Sequence, residues 1–225
     1  MAKKYFLLAL IISSALVNPV LSQAIFEPHY SLKAPETINL ISIEARSSGT
    51  VLNLSIENLV EGGYFCIDPN SYLVDDIGNR YRLEKVIGIP SCPDIHRFTG
   101  IGEKIYFTLT FPKIDSGATW LDLVEECGEN CLSVLGITTD PILNNEMNKC
   151  FAAIDAGRME DAAIMFEALL PELEKTNHSL TGSVYVNLVI IYESLNSEKA
   201  SYYRNRLEQS SVPHREKLLE SIRRQ

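Results

Sequence analysis

Cys92 and His96 stand four residues apart in a stretch, 88–103, that also holds Gly88, Pro90, Pro93, Gly100 and Gly102. A thiolate activated by a neighbouring imidazole is a standard nucleophile, so this loop is where an enzyme would place its site. Cys127 and Cys131 repeat the four-residue spacing, and the four side chains together are ligand types that zinc accepts. The spacing matches no standard finger, and the cysteines have a plainer use. Cys127 and Cys131 flank a three-residue turn, Gly128-Glu129-Asn130, so their side chains can meet across a hairpin. Cys66, in a strand-like run, and Cys92, in the loop, are candidates for a second disulfide. A Cys92 held in such a bond can act neither as nucleophile nor as ligand. Cys150 falls at a close-packed helix position and reads as a small buried hydrophobe.

The remaining candidates for chemistry are scattered. His29, His96, His178 and His214 sit in loops or near the termini. Nucleophile elbows, phosphate loops, zinc-protease signatures and dinucleotide fingerprints are all missing. Asp75-Asp76 and Glu125-Glu126 are acidic pairs, but adjacent strand residues face opposite sides and the first pair lies in a turn. Asp68, Asp75 and Asp76 do not have the spacing of a calcium loop. No metal and no cofactor is expected. Trp120, Tyr106 and Tyr81 would form a carbohydrate platform if they were exposed together.

Composition narrows the partners. The chain has 225 residues, a formal net charge of −9 and a pI near 5.0. Residues 1–22 read as a secretory leader: Lys3 and Lys4, an apolar run from Tyr5 to Val17, then Pro19 and small residues at Ser22 and Ala24. The apolar run is short for a membrane span, and no later segment is apolar enough for one. Losing Lys3 and Lys4 takes the charge from −9 to −11, which argues against nucleic acid as a partner. The expected location is outside the cytoplasm, periplasmic or secreted, with a bacterial envelope favoured.

Two regions of different character must position these residues. Residues 23–35 have little pattern and read as a linker or edge segment. Residues 36–138 hold short β-rich runs near 38–44, 51–59, 64–67, 72–74, 80–87, 104–111, 120–126 and 131–137, with 88–103 as a long loop. In the clearest run, Ile105, Phe107, Leu109 and Phe111 alternate with Tyr106, Thr108 and Thr110. Short strands with turns every eight to twelve residues predict an antiparallel β-sandwich. At Thr139-Asp140-Pro141 the composition changes to helix formers, with Pro141 suited to a first turn. Helices are predicted near 142–156, 159–174, 180–195, 197–210 and 213–224. The fold class is thus two domains, all-β then all-α, the second over 141–225.

Gly157, Ala162 and Phe166 in one hairpin, then Tyr185, Leu188, Tyr192, Leu195 and Ala200 in the next, resemble tetratricopeptide repeats. Cys150 and Val189 depart from the small residues that family uses, the turn at Asn196-Ser197 is one residue short, and the closing prolines are missing. The final helix, with Leu218, Leu219 and Ile222 on one side, resembles a capping helix. The β region is similar to immunoglobulin-like domains of exported bacterial proteins in the runs 72–83, 107–112 and 121–126. The repeat resemblance implies a concave groove lined by Asn144, Met147, Phe151 and Ile154 from one unit and by Ser183, Val186, Ile190 and Glu193 from the next. Such a groove suits a protein or peptide partner. The function expected is non-catalytic binding or scaffolding in the envelope, through that groove or an exposed sandwich edge. The alternatives are an enzyme built on Cys92 and His96, and a carbohydrate-binding sandwich.

Overall fold

The structure is a computed structural model that describes residues 23–126 and 131–223. The leader expected over residues 1–22 and the side chain of Cys127 lie outside them. In chain order the described strands are β1 (Gln23–Phe26), β2 (Leu32–Ala34), β3 (Ile38–Arg46), β4 (Gly49–Glu57), β5 (Tyr64–Phe65), β6 (Tyr72–Asp75), β7 (Arg80–Arg82), β8 (Lys85–Ile87), β9 (His96–Arg97), β10 (Lys104–Phe111), β11 (Trp120–Val124) and β12 (Ser133–Thr138). Five helices follow: α1 (Pro141–Asp155), α2 (Met159–Lys175), α3 (Leu180–Ser194), α4 (Lys199–Gln209) and α5 (Arg215–Arg223).

The strands form two five-stranded antiparallel sheets, ordered β1-β3-β4-β10-β8 and β2-β12-β11-β6-β7, with β5 and β9 as a small pair. The β10 alternation works as its sequence predicts. Phe107, Leu109 and Phe111 are buried, and Tyr106 is exposed on the other face. Leu52 and Leu54 from the first sheet and Leu73, Leu121 and Leu123 from the second meet in one hydrophobic cluster. Of the two readings of residues 23–35, linker or edge segment, the strand pairing matches the second. These residues supply one edge strand to each sheet, β1 against β3 and β2 against β12. Runs of three or four residues carry too little periodicity to show this, and β2 pairs with a strand about a hundred residues away.

The helices start and stop for local reasons. Asp140 caps α1 by accepting the N–H groups of Ile142 and Leu143 through one carboxylate oxygen, and Pro141 occupies the first turn. The ends of α1, α2 and α3 are built alike. Gly157, Asn177 and Asn196 take left-handed backbone at φ 70°, 49° and 52°. In each, the next residue donates its N–H back into the last turn: Arg158 to Ala153, His178 to Leu173 and Ser197 to Tyr192. This is the Schellman arrangement, which favours Gly or Asn at the left-handed position. α2 packs on α1 and α3, and α3 packs on α4 and α5. Phe166, Leu188, Leu207 and Leu218 lie in a second cluster, distinct from that of the sheets.

Two carboxylates on α2 bind the helices into a ladder. One oxygen of Glu167 accepts from Tyr192 Oη at 2.7 Å, Tyr203 Oη at 2.8 Å and Lys199 Nζ at 2.8 Å. Seven residues on, Glu174 accepts from Tyr185 Oη and from Arg206. The partners are offset by seven on α3 and α4 as well, so the same polar rung recurs two turns along.

The two clusters meet through a largely polar joint. β12 carries a bulge opposite Asp122, where Gly136 adopts φ 71°. The Asp122 carboxylate accepts the Gly136 N–H at 2.7 Å and His214 Nε2 at 2.8 Å, the latter from the residue before α5. His178, ahead of α3, donates Nε2–H to the Thr119 carbonyl and accepts the Leu180 N–H on Nδ1. Ser31 Oγ donates to the Ser179 carbonyl. A Cβ on Gly136 would lie 2.7 Å from both Ser31 Oγ and Ser179 Oγ. Gly136→Ala is therefore expected to cost at least about 2 kcal/mol through the strained φ and the clash. Ser179→Ala should be close to neutral, because the buried Ser179 hydroxyl has no partner. Urea denaturation of the two variants checks this ordering.

Candidate functional site

The 88–103 loop, where the alternative enzymatic reading placed its site, is tied down by its own cysteine. Cys66 and Cys92 form a disulfide with a Cα–Cα distance of 5.3 Å. Cys92 therefore offers no thiolate to His96, and neither can it bind zinc. His96 turns instead to Glu103, with Nε2 2.9 Å from a carboxylate oxygen, while Thr99 donates from its N–H and hydroxyl to the other oxygen. These bonds, led by the Thr99 hydroxyl, hold the Glu103 carboxyl down at about 2. The outcome is a closed loop. Cys131 is also disulfide-bonded, and its expected partner Cys127 lies outside the described residues. Cys150 is a buried thiol raised to about 11, first by desolvation. Among the described residues, no cluster of His, Cys, Asp or Glu could hold a metal ion.

The acidic pairs are engaged in shaping loops. Asp75 accepts from the backbone of Ile77 and Asn79 and from Tyr81 Oη, which orders the turn between β6 and β7. Asp76 accepts from the N–H and hydroxyl of Thr119. Buried Glu125 accepts the N–H groups of Asp68 and Leu132, and desolvation raises its pKa despite them. The aromatic platform does not assemble either. Tyr106 is on the first sheet, whereas half-buried Trp120 and Tyr81 belong to the second.

The groove residues divide by burial. Met147 is 1% exposed and belongs to the helical core. Asn144 is buried as well, and its amide meets the end of β1 and the segment that follows it. Its Oδ1 accepts the His29 N–H at 2.8 Å, and its Nδ2 points to the Phe26 carbonyl at 3.4 Å. Met147 is covered within the helical core, and the Asn144 amide is taken up by Phe26 and His29. Phe151, Ile154, Val186 and Ile190 stay half-buried. Glu193 is exposed and bonded to Arg204 at 2.6 Å.

Phe151 leads to a cleft. Its ring stacks on His29 with centroids 5.1 Å apart and planes at 13°. The two rings wall an open cleft of about 470 Å³ between α1 and the β1–β3 edge, with Glu27, Tyr30, Asn39 and Ile41 as other lining residues. Ile41 is the extra residue of a bulge in β3, and its carbonyl accepts the Glu27 N–H. Glu27 itself sits at φ 46°. His29 Nε2 lies 2.9 Å from Asn148 Oδ1. A second cleft, of about 520 Å³, separates β2 and β12 from α5. It is lined by Lys33, Lys217, Glu36 and Glu220 and by no aromatic side chain. Sequence reasoning missed Glu27, His29 and Tyr30, because a role for them requires the long-range contact with Phe151. No family description, curated protein or solved structure matches the chain.

The joint beside this cleft responds to pH. Burial lowers the pKa of both His29 and His178 from 6.5. Asn148 and Glu27 partly restore His29, and the Thr119 carbonyl with Asp140 and Asp76 partly restores His178. Protonating His178 would also put a proton on Nδ1 against the Leu180 N–H. The unfolded chain therefore binds more protons just below pH 6.5, and stability falls as pH drops through that value. Urea midpoints taken from about pH 7.5 to 5 should decline in the parent and decline less in His178→Gln.

Proposed function

We propose that the protein is an exported, non-catalytic binding or scaffold protein of the cell envelope. In this reading the paired sheets are an immunoglobulin-like sandwich, and the helices are a two-unit tetratricopeptide-like array closed by α5. The contact surface is the cleft between α1 and the β1–β3 edge, continued by Phe151 and Ile154 and, on α3, by Val186 and Ile190. One observation carries the reading. Phe151 is the expected groove residue that lines an open cleft, and it does so beside aromatic and polar groups from the other half of the chain.

The export reading rests on the leader-like residues 1–22 and agrees with the Cys66–Cys92 disulfide, which suits an oxidising compartment. Among the described residues, no helix is long and apolar enough to cross a membrane. The reactive groups singled out by spacing have internal partners, so the surface that remains is one for recognition.

A photocrosslinking amino acid at Asn39, which is exposed and lines the cleft, tests this in the native envelope. A discrete crosslinked protein is expected there, and none from the same group placed at exposed Tyr202 on α4. Equal capture from both positions, or none from Asn39, would refute the cleft as the contact surface.

A further inference from the structure

We infer that the cleft receives a basic side chain, a Lys or Arg carried on an extended segment of the partner protein. This rests on the cleft being the contact surface, and it adds what that surface recognises.

The argument begins with Glu27. It ends β1 in a left-handed conformation, φ 46°, that side chains other than Gly and Asn seldom adopt. Left-handed backbone at a non-glycine residue persists where the surroundings impose it, and here the Ile41 carbonyl fixes the Glu27 N–H. The carboxylate is held exposed at the cleft, and no described cation forms an ion pair with it. Lys33, on β2, directs its ammonium to the Ile38 carbonyl and to Asn39 Oδ1. His29 stacks on Phe151 and bonds Asn148; Glu27 acts on it through space, without an ion pair between them.

The walls suit the same occupant. Tyr30 lines the cleft, and a cation is attracted to the face of such a ring; Phe151, with one face already stacked on His29, adds apolar wall. Asn39 and the backbone of the bulged Ile41 add hydrogen-bonding groups at the rim. A cleft of about 470 Å³ has room for a long side chain and its flanking backbone. Without residues 1–22 the chain carries −11, from −9 less Lys3 and Lys4, which attracts basic partners and speeds their encounter. A neutral sugar would use the aromatic walls but would leave the Glu27 charge unanswered.

The test uses the chain from residue 23 onward and blocked pentapeptides Ac-Ala-Ala-X-Ala-Ala-NH2, with X as Arg, citrulline or Glu. Binding is followed by amide chemical shifts. The Arg peptide should perturb residues 26–30, 39–41 and 148–152, and should bind at least about fivefold more tightly than the citrulline peptide, in keeping with a partly exposed charge pair. Glu27→Gln should abolish that difference, and added salt should reduce it. Equal binding of the Arg and citrulline peptides, tighter binding of the Glu peptide, or perturbation by cellobiose that Glu27→Gln leaves unchanged would each overturn the inference. Crosslinking from Asn39 separates the two proposals. Capture that persists undiminished in Glu27→Gln keeps the cleft as the contact surface and removes the basic side chain as what it recognises.

Discussion

The Asp122 carboxylate is the contact on which the arrangement of the two halves depends. It lies on the outer side of the second sheet, 8% exposed, where an unpaired charge would be costly. Two donors meet that cost from different directions: the Gly136 N–H, made available by the bulge in β12, and His214 at the threshold of α5. The bulge requires a residue that tolerates φ 71°, and the space above it admits no side chain. A local backbone irregularity in one strand thus fixes where the last helix begins. His178 does the same for α3 by joining its first turn to the Thr119 carbonyl. Bonds of this kind impose position and direction, which apolar contact alone does not.

The cleft is a consequence of that docking. Asn144 holds α1 against the end of β1 through bonds to His29 and Phe26. About two helical turns further along, Phe151 stands half-exposed against His29. The chain leaving β1 is therefore engaged by Asn144 and lines the open cleft beside Phe151. The result is a recessed surface made from both halves of the chain.

Much of this architecture was legible in the sequence, and the failures have a common cause. The alternation around Phe107 and the helix formers after Pro141 located the long elements to within a few residues, because each reflects a local period. Gly157 marked its turn correctly, while the equivalent roles of Asn177 and Asn196 required seeing all three helix ends together. Cys66 and Cys92 were recognisable as a pair. By contrast, helical spacing put Asn144, Met147 and Phe151 on one face without revealing that the sheet covers part of that face. Asp122 and Gly136 carry no local signal, since neither belongs to a motif and the partner that gives Asp122 its role, His214, is about ninety residues away. The short strands β1 and β2 were legible only as a linker or edge segment for the same reason: their partners are distant and their own pattern is brief.

Native-state hydrogen exchange tests most directly whether the joint unites the two cores. The informative amides are His29, bonded to Asn144 across the joint, and Gly136, bonded to Asp122 beneath His214. They should exchange with the same opening free energy as Leu54 and Leu188, which are fully buried in the two cores. Exchange of His29 and Gly136 through a cheaper opening, with Leu54 and Leu188 still protected, would show that the halves separate before either unfolds and would contradict the account.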